Sequence, residues 1–379
     1  MSASLVGSEM CIRDRCYIMK IRKRYSYETV VRMATIKELS IKCGVSVSTV
    51  SKALNGYKDI GDETRRNILR IASEIGYFPD SNARALKMKK TYNLGVLFST
   101  MFNHGLRNEY FAHILASFNE YATNRGYDIN FIEHNIGNRK MSFLEHCRYR
   151  NFDGVCIACA DFFDSEVLDV VNSKLPVVVI DHVFHEAISI LSDNMDGMRQ
   201  LTQYIIDQGH SRIAFIHGTN SSVTHNRLVS FYQALKDNNI TIPPEYVIEG
   251  VYRDAEVAES ITQKLLDLPM RPTCIIAPDD YSALGVMNTV RRNGLKIPDD
   301  VSIVGFDGIS LAQALEPKLT TIRQDTDRIG AEAAKQLINL IENPMATTIS
   351  NVYLKVQLMR GGSVRNMNPV MGDEESQKD

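Results

Sequence analysis

Between residues 36 and 77, apolar positions recur every three or four residues in three short segments, the spacing that gives a helix one apolar face. Gly44 follows the first segment and predicts its end, because only glycine adopts the left-handed conformation at little cost. Ser46 is a favourable N-cap for the second helix, and the third is expected to begin near Gly61 and to close at Gly76. The pattern predicts three helices, of which the first two form a helix–turn–helix. The positions expected to face the core are Ile36, Leu39, Ser40, Cys43, Val50, Ala53, Leu54, Ile68, Ile71, Ala72 and Ile75.

From residue 94 onward, short apolar runs alternate with amphipathic helical stretches. This alternation predicts parallel sheets covered by helices, and the span is long enough for two lobes. The runs expected as strands are Leu94–Phe98, Ile129–Ile132, Gly154–Ala158, Pro176–Ile180, Ile213–Ile216, Thr273–Ala277 and Val301–Val304. The helical stretches include Tyr110–Arg125, Met198–Gln208 and Ala283–Arg292. The predicted fold class is α/β, with a small all-α helix–turn–helix domain ahead of a two-lobed core of parallel sheets.

The 379 residues are expected to hold these two folded parts between less regular ends. The opening residues lack a helical or strand period, and Met33 is the expected natural start. The predicted domains are a non-native or disordered leader (1–32), the helix–turn–helix domain (33–78), a hinge helix with a basic linker (79–91), the core (92–362) and a disordered tail (363–379). The predicted lobes of the core are lobe one (92–190 and 325–348) and lobe two (191–323 and 349–362).

The net charge of −2 conceals an asymmetry along the chain. Residues 33–91 hold eleven lysines and arginines against six acids, whereas residues 92–379 hold twenty-five against thirty-six. A basic end on an acidic body favours one domain that binds a polyanion and a second domain that binds something else.

Seven cysteines show no disulfide framework, so a reduced compartment is the simpler interpretation. Cys156 and Cys159 form a CxxC pair inside an apolar run, which favours buried structural cysteines over a redox or zinc pair. Neither a metal nor a cofactor is expected. Because no stretch approaches a membrane span and charges interrupt the opening segment, we expect a cytoplasmic protein without a signal peptide or membrane contact.

The second predicted helix has the small, polar outer face that entry into the major groove of DNA requires. Val47, Ser48 and Ser51 face outward by the same period that turns Val50 inward. Lys52 is long enough to reach a guanine or a phosphate. The residues expected to anchor the DNA backbone are Thr49, Asn55 and Tyr57. A plain three-helix bundle with solvated polar faces is the alternative that the pattern alone leaves open.

Residues 34–55, ATIKELSIKCGVSVSTVSKALN, closely resemble the signature of the LacI/GalR family of bacterial transcription regulators. The matching elements are Gly44–Ser46, Thr49–Ser51, Leu54–Asn55, Ile75–Pro79 and Ala83–Lys87. The resemblance implies a helix–turn–helix that binds double-stranded operator DNA. The DNA contacts that we predict are Thr35, Ser46, Val47, Ser48, Thr49, Ser51, Lys52, Asn55, Tyr57, Asn82, Ala83, Arg84, Leu86 and Lys87.

The resemblance also implies a role for residues 79–87. In the family, this hinge segment folds into a helix on operator DNA, and two such helices enter the minor groove together, where a leucine wedges between base pairs. Leu86 occupies the matching position. An apolar wedge unstacks a base step and bends the duplex, which exposes more contact surface. The alternative is a flexible linker whose leucine packs on the core.

Polar residues directly follow several predicted strands. Asp181, Asp279 and Asp307 stand in this position, and so does Ser99. Ligands of parallel α/β sheets bind at the carboxyl ends of the strands, and carboxylate oxygens accept hydrogen bonds from the adjacent hydroxyls of a polyhydroxyl ligand. The alternative is that the aspartates cap the helices that follow them, which is the interpretation favoured for Asp280.

The resemblance to the LacI/GalR family covers residues 33–362 and implies a two-lobed core like that of the periplasmic sugar-binding proteins. Its landmarks in the core are Asp193–Gly197, Gly209–Ile213, Ala283–Gly285, Val304–Asp307 and Leu319–Asp325. The residues at positions that match family effector contacts are Asp181, Arg227, Asp279, Asp307 and Gln324. Ser99 and Phe111 complete the predicted effector site, in which Arg227 supplies a fork of donors.

Two positions depart from the family pattern. His182 stands where arginine is frequent, and Asp279 stands where asparagine is common. An extra carboxylate would favour a ligand with an amine or one with more hydroxyl contacts, so the identity of the effector is open.

These features predict a repressor that binds operator DNA as a homodimer and responds to a small sugar or sugar derivative. A two-fold protein suits a two-fold operator, and no leucine-heptad tail that would join two dimers follows Gly362. Whether the effector induces or corepresses is open at this point.

Two other classes of protein compete with this prediction. An enzyme is not expected, because the acid pairs at 279–280 and 299–300 come without a Gly-x-Ser-x-Gly elbow, a phosphate-binding loop or a His-Glu-x-x-His motif. A solute-binding carrier with the same core fits neither the basic N-terminal domain nor the missing signal peptide.

Overall fold

The computed structural model describes residues 34–78, 90–98 and 107–368. The chain divides into two compact units, the first ending at Thr91 and the second beginning at Tyr92. The predicted features outside the described residues are the leader, the hinge contacts Asn82, Ala83, Arg84, Leu86 and Lys87, the effector residue Ser99, and the tail after residue 368.

The first unit contains the three predicted helices, α1 (Ile36–Cys43), α2 (Val47–Leu54) and α3 (Asp62–Glu74). Gly44 ends α1 in the left-handed conformation, with φ of 67°, and the Ser46 hydroxyl accepts a hydrogen bond from the Thr49 amide at the start of α2. Both features were predicted from the residue types and are confirmed. The buried core of the unit consists of Leu39, Val50, Ala53, Ile68 and Ala72.

The second unit is built from strands and helices that alternate. Its strands are β1 (Asn93–Phe98), β2 (Asp128–Phe131), β3 (Asn135–Ile136), β4 (Arg139–Lys140), β5 (Gly154–Cys159), β6 (Val177–Ile180), β7 (Ile188–Ser192), β8 (Ile213–His217), β9 (Val247–Glu249), β10 (Cys274–Ile276), β11 (Ser302–Val304), β12 (Thr321–Arg323), β13 (Asn351–Leu354) and β14 (Gln357–Met359). Its α-helices are α4 (Glu109–Asn124), α5 (Phe143–Arg150), α6 (Ser165–Val171), α7 (Asn194–Asp207), α8 (Ser222–Asp237), α9 (Ala255–Leu266), α10 (Asp280–Arg292), α11 (Ser310–Ala314) and α12 (Thr326–Glu342).

Two parallel sheets form the centres of two lobes. The first has the strand order β13-β7-β6-β5-β1-β2, and the second has the order β11-β10-β8-β9. Every pairing within these two sheets is parallel. Apolar clusters cover both faces of each sheet, with helices α4 and α12 on one face of the first sheet. This architecture confirms the predicted α/β class.

The seven strands predicted from apolar runs all occur, with ends within one residue of the prediction. The three predicted helices of the core also occur, but α7 and α10 start earlier than their apolar periods indicate. Asp193 and Asp279 cap these helices, because each carboxylate accepts a hydrogen bond from a backbone amide in the first turn.

The structure corrects two predicted boundaries. Residues 351–354 were assigned to the second lobe, but β13 pairs with β7 and so extends the first sheet. The disordered tail was predicted to begin at 363, yet Ser363 is fully buried and donates a hydrogen bond to the Ile303 carbonyl. The Met367 amide also donates to the Gln208 carbonyl, so residues 363–368 pack on the second lobe.

Cys156 and Cys159 are free thiols buried in β5, as predicted for structural cysteines. Burial raises the pKa of Cys156 to about 12, so its thiol stays protonated near neutral pH. Within the described ranges, no group of three or more His, Cys, Asp or Glu side chains is placed to hold a metal ion. None of the helices in the described part of the chain is long and apolar enough to cross a membrane.

Gly330 lies where α12 packs closely against α4. A Cβ atom at this position would lie 2.0 Å from the carbonyl oxygen of Ile114 and 2.1 Å from Oγ of Ser117. We expect Gly330→Ala to lower the free energy of unfolding of the second unit by about 1–3 kcal/mol, because the helices must separate. Urea denaturation measures this loss. Lys335→Ala, at an exposed position of the same helix, should stay within about 0.5 kcal/mol; equal losses in both variants would contradict the packing argument.

Candidate functional sites

The outer face of α2 has the predicted arrangement. Val50 and Ala53 are buried in the core of the first unit, whereas Val47 and Ser48 are exposed and Ser51 is half-buried. The helix therefore presents small side chains outward, as entry into the major groove requires.

Three of the predicted DNA contacts also have local roles. Oγ1 of Thr35 accepts a hydrogen bond from the Glu38 amide and completes a capping box at α1. Oγ of Ser46 lies 2.9 Å from Oγ1 of Thr49 and accepts from the Thr49 amide at 3.0 Å. These side chains fix the two helix starts, and only their remaining donors and acceptors are available to DNA.

The end of α2 carries the other predicted contacts. Nδ2 of Asn55 donates to the Ser51 carbonyl at 2.7 Å, and Tyr57 is exposed in the following loop. Nζ of Lys52 lies 2.5 Å from Oδ2 of Asp59, so an ion pair links the outer face of α2 to this loop. This ion pair was not predicted from the sequence.

In the second unit, a chain of polar contacts crosses from one lobe to the other. Asp181 follows β6, and its Oδ2 accepts a hydrogen bond from the Tyr110 hydroxyl at 2.9 Å. The same hydroxyl lies 3.3 Å from Oε1 of Gln324, and Nε2 of Gln324 donates to Oδ1 of Asp307 at 2.7 Å. The structure thus brings together three residues of the predicted effector site, Asp181, Asp307 and Gln324, and Tyr110 connects them.

Arg227 of α8 is buried beside this chain of contacts. Its Nε donates to Oδ1 of Asn194 at 2.8 Å, and its Nη1 donates to the Pro278 carbonyl at 3.0 Å. The guanidinium carbon lies 3.5 Å from the centre of the Phe306 ring, and Nη2 lies 4.0 Å from Oδ1 of Asp307. A fixed buried cation therefore stands beside the carboxylate at the second-lobe end of the contacts.

The cleft between the lobes keeps carboxylates in an environment of little water. Burial raises the pKa of Asp181, although the Tyr110 hydrogen bond and Arg227 lower it. Burial raises the pKa of Asp307 to about 7, with Arg227 acting in the opposite direction. Oδ1 of Asp181 is buried and accepts no hydrogen bond of normal geometry from the described residues, although the Ser192 backbone helps to lower the pKa of this carboxyl. Because a buried acceptor without a donor is unfavourable, this oxygen is suited to a ligand that donates a hydrogen bond.

The chain matches two family models. Residues 35–80 match the bacterial regulatory proteins of the lacI family, and residues 202–364 match the periplasmic binding protein-like domain. The probable HTH-type transcriptional repressor ExuR of Bacillus subtilis is 30% identical over 339 residues, which cover 88% of this chain and 99% of that protein. The chain belongs to the lacI family of bacterial regulatory proteins. The ribose operon repressor of Haemophilus influenzae is 33% identical over 317 residues, covering 82% of this chain and 93% of that protein.

Solved structures extend this assignment to the whole fold of the lacI-family regulator. A Lac repressor dimer bound to operator and the anti-inducer ONPF has a TM-score of 0.74 and 25% identity, and the match covers 88% of this chain and all 100% of that chain. The CelR–cellobiose complex, with a TM-score of 0.62, 24% identity and coverage of 87% and 99%, shows the same fold. The protein is a DNA-binding transcription regulator, and the helix–turn–helix match disfavours a solute-binding carrier. Its relatives are named as repressors rather than enzymes.

In this lacI-family regulator, the helix cap predicted for Asp280 is provided by its neighbour Asp279. Asp279 is the N-cap of α10 and accepts hydrogen bonds from the Ser282 amide, the Ser282 hydroxyl and the Arg253 amide. Asp280, for which a cap was favoured, accepts instead from the Ile309 amide at 2.9 Å and the Thr321 hydroxyl at 2.5 Å. The cap prediction for Asp280 is therefore wrong. Helix α10 begins at Asp280 itself, so the cap position is that of Asp279.

Asp279 remains a predicted effector contact, but its carboxylate already has three donors from the protein. A carboxylate has about four acceptor positions, so at most one is left for a ligand amine. The idea that the extra carboxylate favours an amine ligand therefore gains no support from the hydrogen bonding.

Phe111 lies at the start of α4 and is almost fully buried. Its ring packs edge to face against Phe98, with ring centres 5.3 Å apart, and against Tyr110, with centres 5.1 Å apart. Its direct effect in the structure is to fix the ring of Tyr110, and an effector contact through Phe111 stays a prediction.

The departure at His182 places an aromatic group beside the cleft. The His182 ring stacks on Phe162 with centres 4.4 Å apart and an interplanar angle of 9°, and Phe184 lies 4.6 Å away on a tilted plane. Burial lowers the pKa of His182, which favours the neutral ring over the cation that an arginine would supply.

Four residues of the cleft were not predicted from the sequence: Tyr110, Asn194, Tyr252 and Phe306. Tyr252 donates to or accepts from Oγ1 of Thr224 at 2.8 Å and lies 5.8 Å from the Arg227 guanidinium. The signal for the last three residues was the arginine itself, since a buried guanidinium needs acceptors and aromatic faces around it.

Two further contacts join the lobes beside the cleft. Oγ of Ser222 donates to the Asp181 carbonyl at 3.1 Å, and Glu109 accepts from the amide and the hydroxyl of Ser310 at 2.7 and 2.9 Å. Helices α8 and α11 of the second lobe are thus tied to the first lobe.

Proposed function

We propose that this regulator is a repressor that binds operator DNA as a homodimer, and that a small polyhydroxyl effector, a sugar or sugar derivative, controls the binding from the cleft. The observation that carries the proposal is the contact chain from Asp181 through Tyr110 and Gln324 to Asp307. It spans both lobes and leaves a buried acceptor at Asp181. Relatives support the classes of ligand: a solved Lac repressor dimer is bound to operator, and a solved CelR is in complex with cellobiose. The function places the protein in the cytoplasm with the chromosomal DNA.

The DNA half of the proposal rests on the outer face of α2. Val47, Ser48, Ser51 and Lys52 are the proposed contacts to base edges, and Asn55 anchors the backbone. The hinge residues of the predicted set are proposed as further DNA contacts. A homodimer presents two such helices to the two halves of a two-fold operator.

The effector controls DNA binding because it binds one arrangement of the two lobes more tightly than the other. A ligand hydroxyl donates to the open oxygen of Asp181, and further hydroxyls bond to Asp307 of the other lobe. The ligand therefore favours the arrangement of the lobes in which both carboxylates are within reach. A preference of a few kcal/mol for that arrangement shifts the population between the DNA-bound and released forms.

The first test is fluorescence anisotropy with the DNA upstream of the regulator's own gene, over a salt series, with and without a panel of sugars. We expect tight, salt-dependent binding that resists competitor DNA, at two chains per duplex. A sugar that weakens binding identifies an inducer, and one that strengthens it identifies a corepressor. Sugar binding without any binding to DNA would overturn the proposal in favour of a carrier.

Tyr110→Phe tests the contact chain. The variant keeps the ring but removes the donor to Asp181 and the contact with Gln324, so the active sugar should bind roughly tenfold more weakly, a loss of about 1.4 kcal/mol. Isothermal titration calorimetry with that sugar measures the change. Tyr121→Phe, on the same helix α4, is the matched control and should leave sugar affinity unchanged. Equal affinities in all three proteins would show that the Tyr110 hydroxyl does not organise the site.

A further inference from the structure

Lys52 is the one basic residue of α2, and its ammonium group forms an ion pair with Asp59. Its ammonium lies 2.5 Å from Oδ2 of Asp59, and the two side chains are 41% and 52% exposed. The hydrogen bond between them raises the pKa of Lys52 and lowers the pKa of Asp59, so both groups are ionised over the physiological range.

The loop that carries Asp59 is held in place by the next helix. Nη2 of Arg65, in α3, donates to the carbonyls of Tyr57 and Ile60 at 2.5 and 3.4 Å. Ile60 also packs against the core of the first unit. Gly56, with φ of 72°, makes the turn between α2 and this loop. The carboxylate of Asp59 is therefore presented to Lys52 from a fixed loop.

The ion pair between Lys52 and Asp59 affects contacts of Lys52 with DNA phosphates differently from its contacts with base edges. Phosphates surround every DNA sequence, and attraction to them supplies essentially all of non-specific binding. A carboxylate beside Lys52 opposes that attraction, because it neutralises the ammonium and repels phosphate. An ammonium has three donors, so Lys52 can keep its bond to Asp59 while it donates to a guanine edge. The carboxylate thus penalises phosphate contacts more than base contacts.

We infer that Asp59 is a specificity-determining residue, which holds Lys52 toward the base edges and suppresses its binding to phosphate. This inference rests on the proposed function. It gives a role to an acidic residue on the face that meets DNA, where a carboxylate would otherwise only weaken binding. Arg65 is then a positioning residue, since it acts through the loop.

The test compares the full-length protein with Asp59→Asn on two duplexes, one enriched from a random library by the wild-type protein and one of scrambled sequence. We expect Asp59→Asn to bind the scrambled duplex about threefold to tenfold more tightly, with a salt slope steeper by up to about 0.9, the value of one added phosphate contact. Affinity for the enriched duplex should change less, so the specificity ratio should fall.

Glu74→Gln is the matched control, because it removes one acidic charge from another exposed ion pair of the same unit, that with Arg70. If Asp59→Asn and Glu74→Gln raise scrambled-duplex affinity equally, the effect is net charge alone and the inference is wrong. In the Lys52→Met background, Asp59→Asn should have a smaller effect on the scrambled duplex, because only the direct repulsion of phosphate by Asp59 is left to remove; an undiminished effect would also overturn the inference.

The outcomes separate this inference from the proposed function. A wild-type protein that selects its enriched duplex, with Asp59→Asn behaving as wild type, overturns the role of Asp59 alone. Binding of neither duplex by any variant overturns both the proposed function and the inference. Circular dichroism melts of each variant check that the exposed substitutions leave the unit folded.

Discussion

Replacing Arg227 by methionine is expected to lower the free energy of unfolding of the second unit by about 3–5 kcal/mol, the range for breaking a buried ion pair. Arg227 is only 4% exposed, and its guanidinium lies against the Phe306 ring and beside Asp307. Methionine fills much of the same volume but supplies no donor. The oxygens of Asn194 and Pro278 would lose their partners, and the buried Asp307 carboxylate would lose its nearest cation.

Urea denaturation at about pH 8, above the pKa of Asp307, compares Arg227→Met with a surface counterpart and decides whether burial causes the loss of stability. Arg125 pairs with Glu342 at 2.7 Å, but the side chain of Arg125 is 42% exposed. Arg125→Met should therefore change the free energy of unfolding by about 1 kcal/mol or less. Similar losses in the two variants would mean that the cleft tolerates an unpaired carboxylate, and that Arg227 does not organise it.

The strands were predictable because their burial is uniform. β6, with the sequence VVVI, is buried at every position, and β5 is buried throughout as well. A strand that is covered on both faces by helices must be apolar at every residue, so its ends are visible as the ends of an apolar run.

The sheet to which a strand belongs was harder to predict. In β13, Val352 and Leu354 face the first lobe, while Asn351 and Tyr353 are exposed. This half-buried pattern is compatible with either sheet. The pairing with β7 depends on where the chain crosses between the lobes after α12, which no local pattern encodes.

In the candidate site too, features set by neighbouring residues were predictable from the sequence, and contacts between distant residues were not. The acids after the strands were predictable, because the chemistry of a strand end is local. Tyr110 was missed, since its partner Asp181 lies 71 residues away and only the folded sheet brings them together. Asp279 and Asp280 were confused because the difference between cap and first helical residue is a shift of one position.

The pair of Lys52 and Asp59 was missed for a related reason. Lys52 has the spacing of an outward-facing residue, and nothing in that spacing shows a counter-ion. The carboxylate comes within reach only through the turn at Gly56 and the bonds of Arg65 to the loop. A helical period therefore predicts which side chains face DNA, but not which of them already have partners.

Asp307→Asn is expected to change how stability depends on pH. Burial raises the pKa of Asp307 to about 7, whereas a free aspartate titrates near 3.9. Between these values the folded protein holds a proton that the unfolded chain has released, so the contribution of Asp307 to stability falls as pH rises from about 4 to about 7. Asparagine cannot ionise, still accepts from Gln324 and tolerates the φ of 113° at this position.

The free energy of unfolding of Asp307→Asn, relative to wild type, should therefore rise over this range by up to about 4 kcal/mol and then level off. Asp196→Asn is a control in which stability should depend on pH in the opposite direction, because the pKa of Asp196 is lowered rather than raised. Burial would raise the pKa of Asp196, but hydrogen bonds from Arg199 and Gln200 hold it below its usual value. Its contribution is present at higher pH and lost as the pH falls through that lowered pKa. If Asp307→Asn followed the trend of Asp196→Asn, Arg227 rather than burial would control Asp307, and the cleft would offer its effector a permanently charged acceptor.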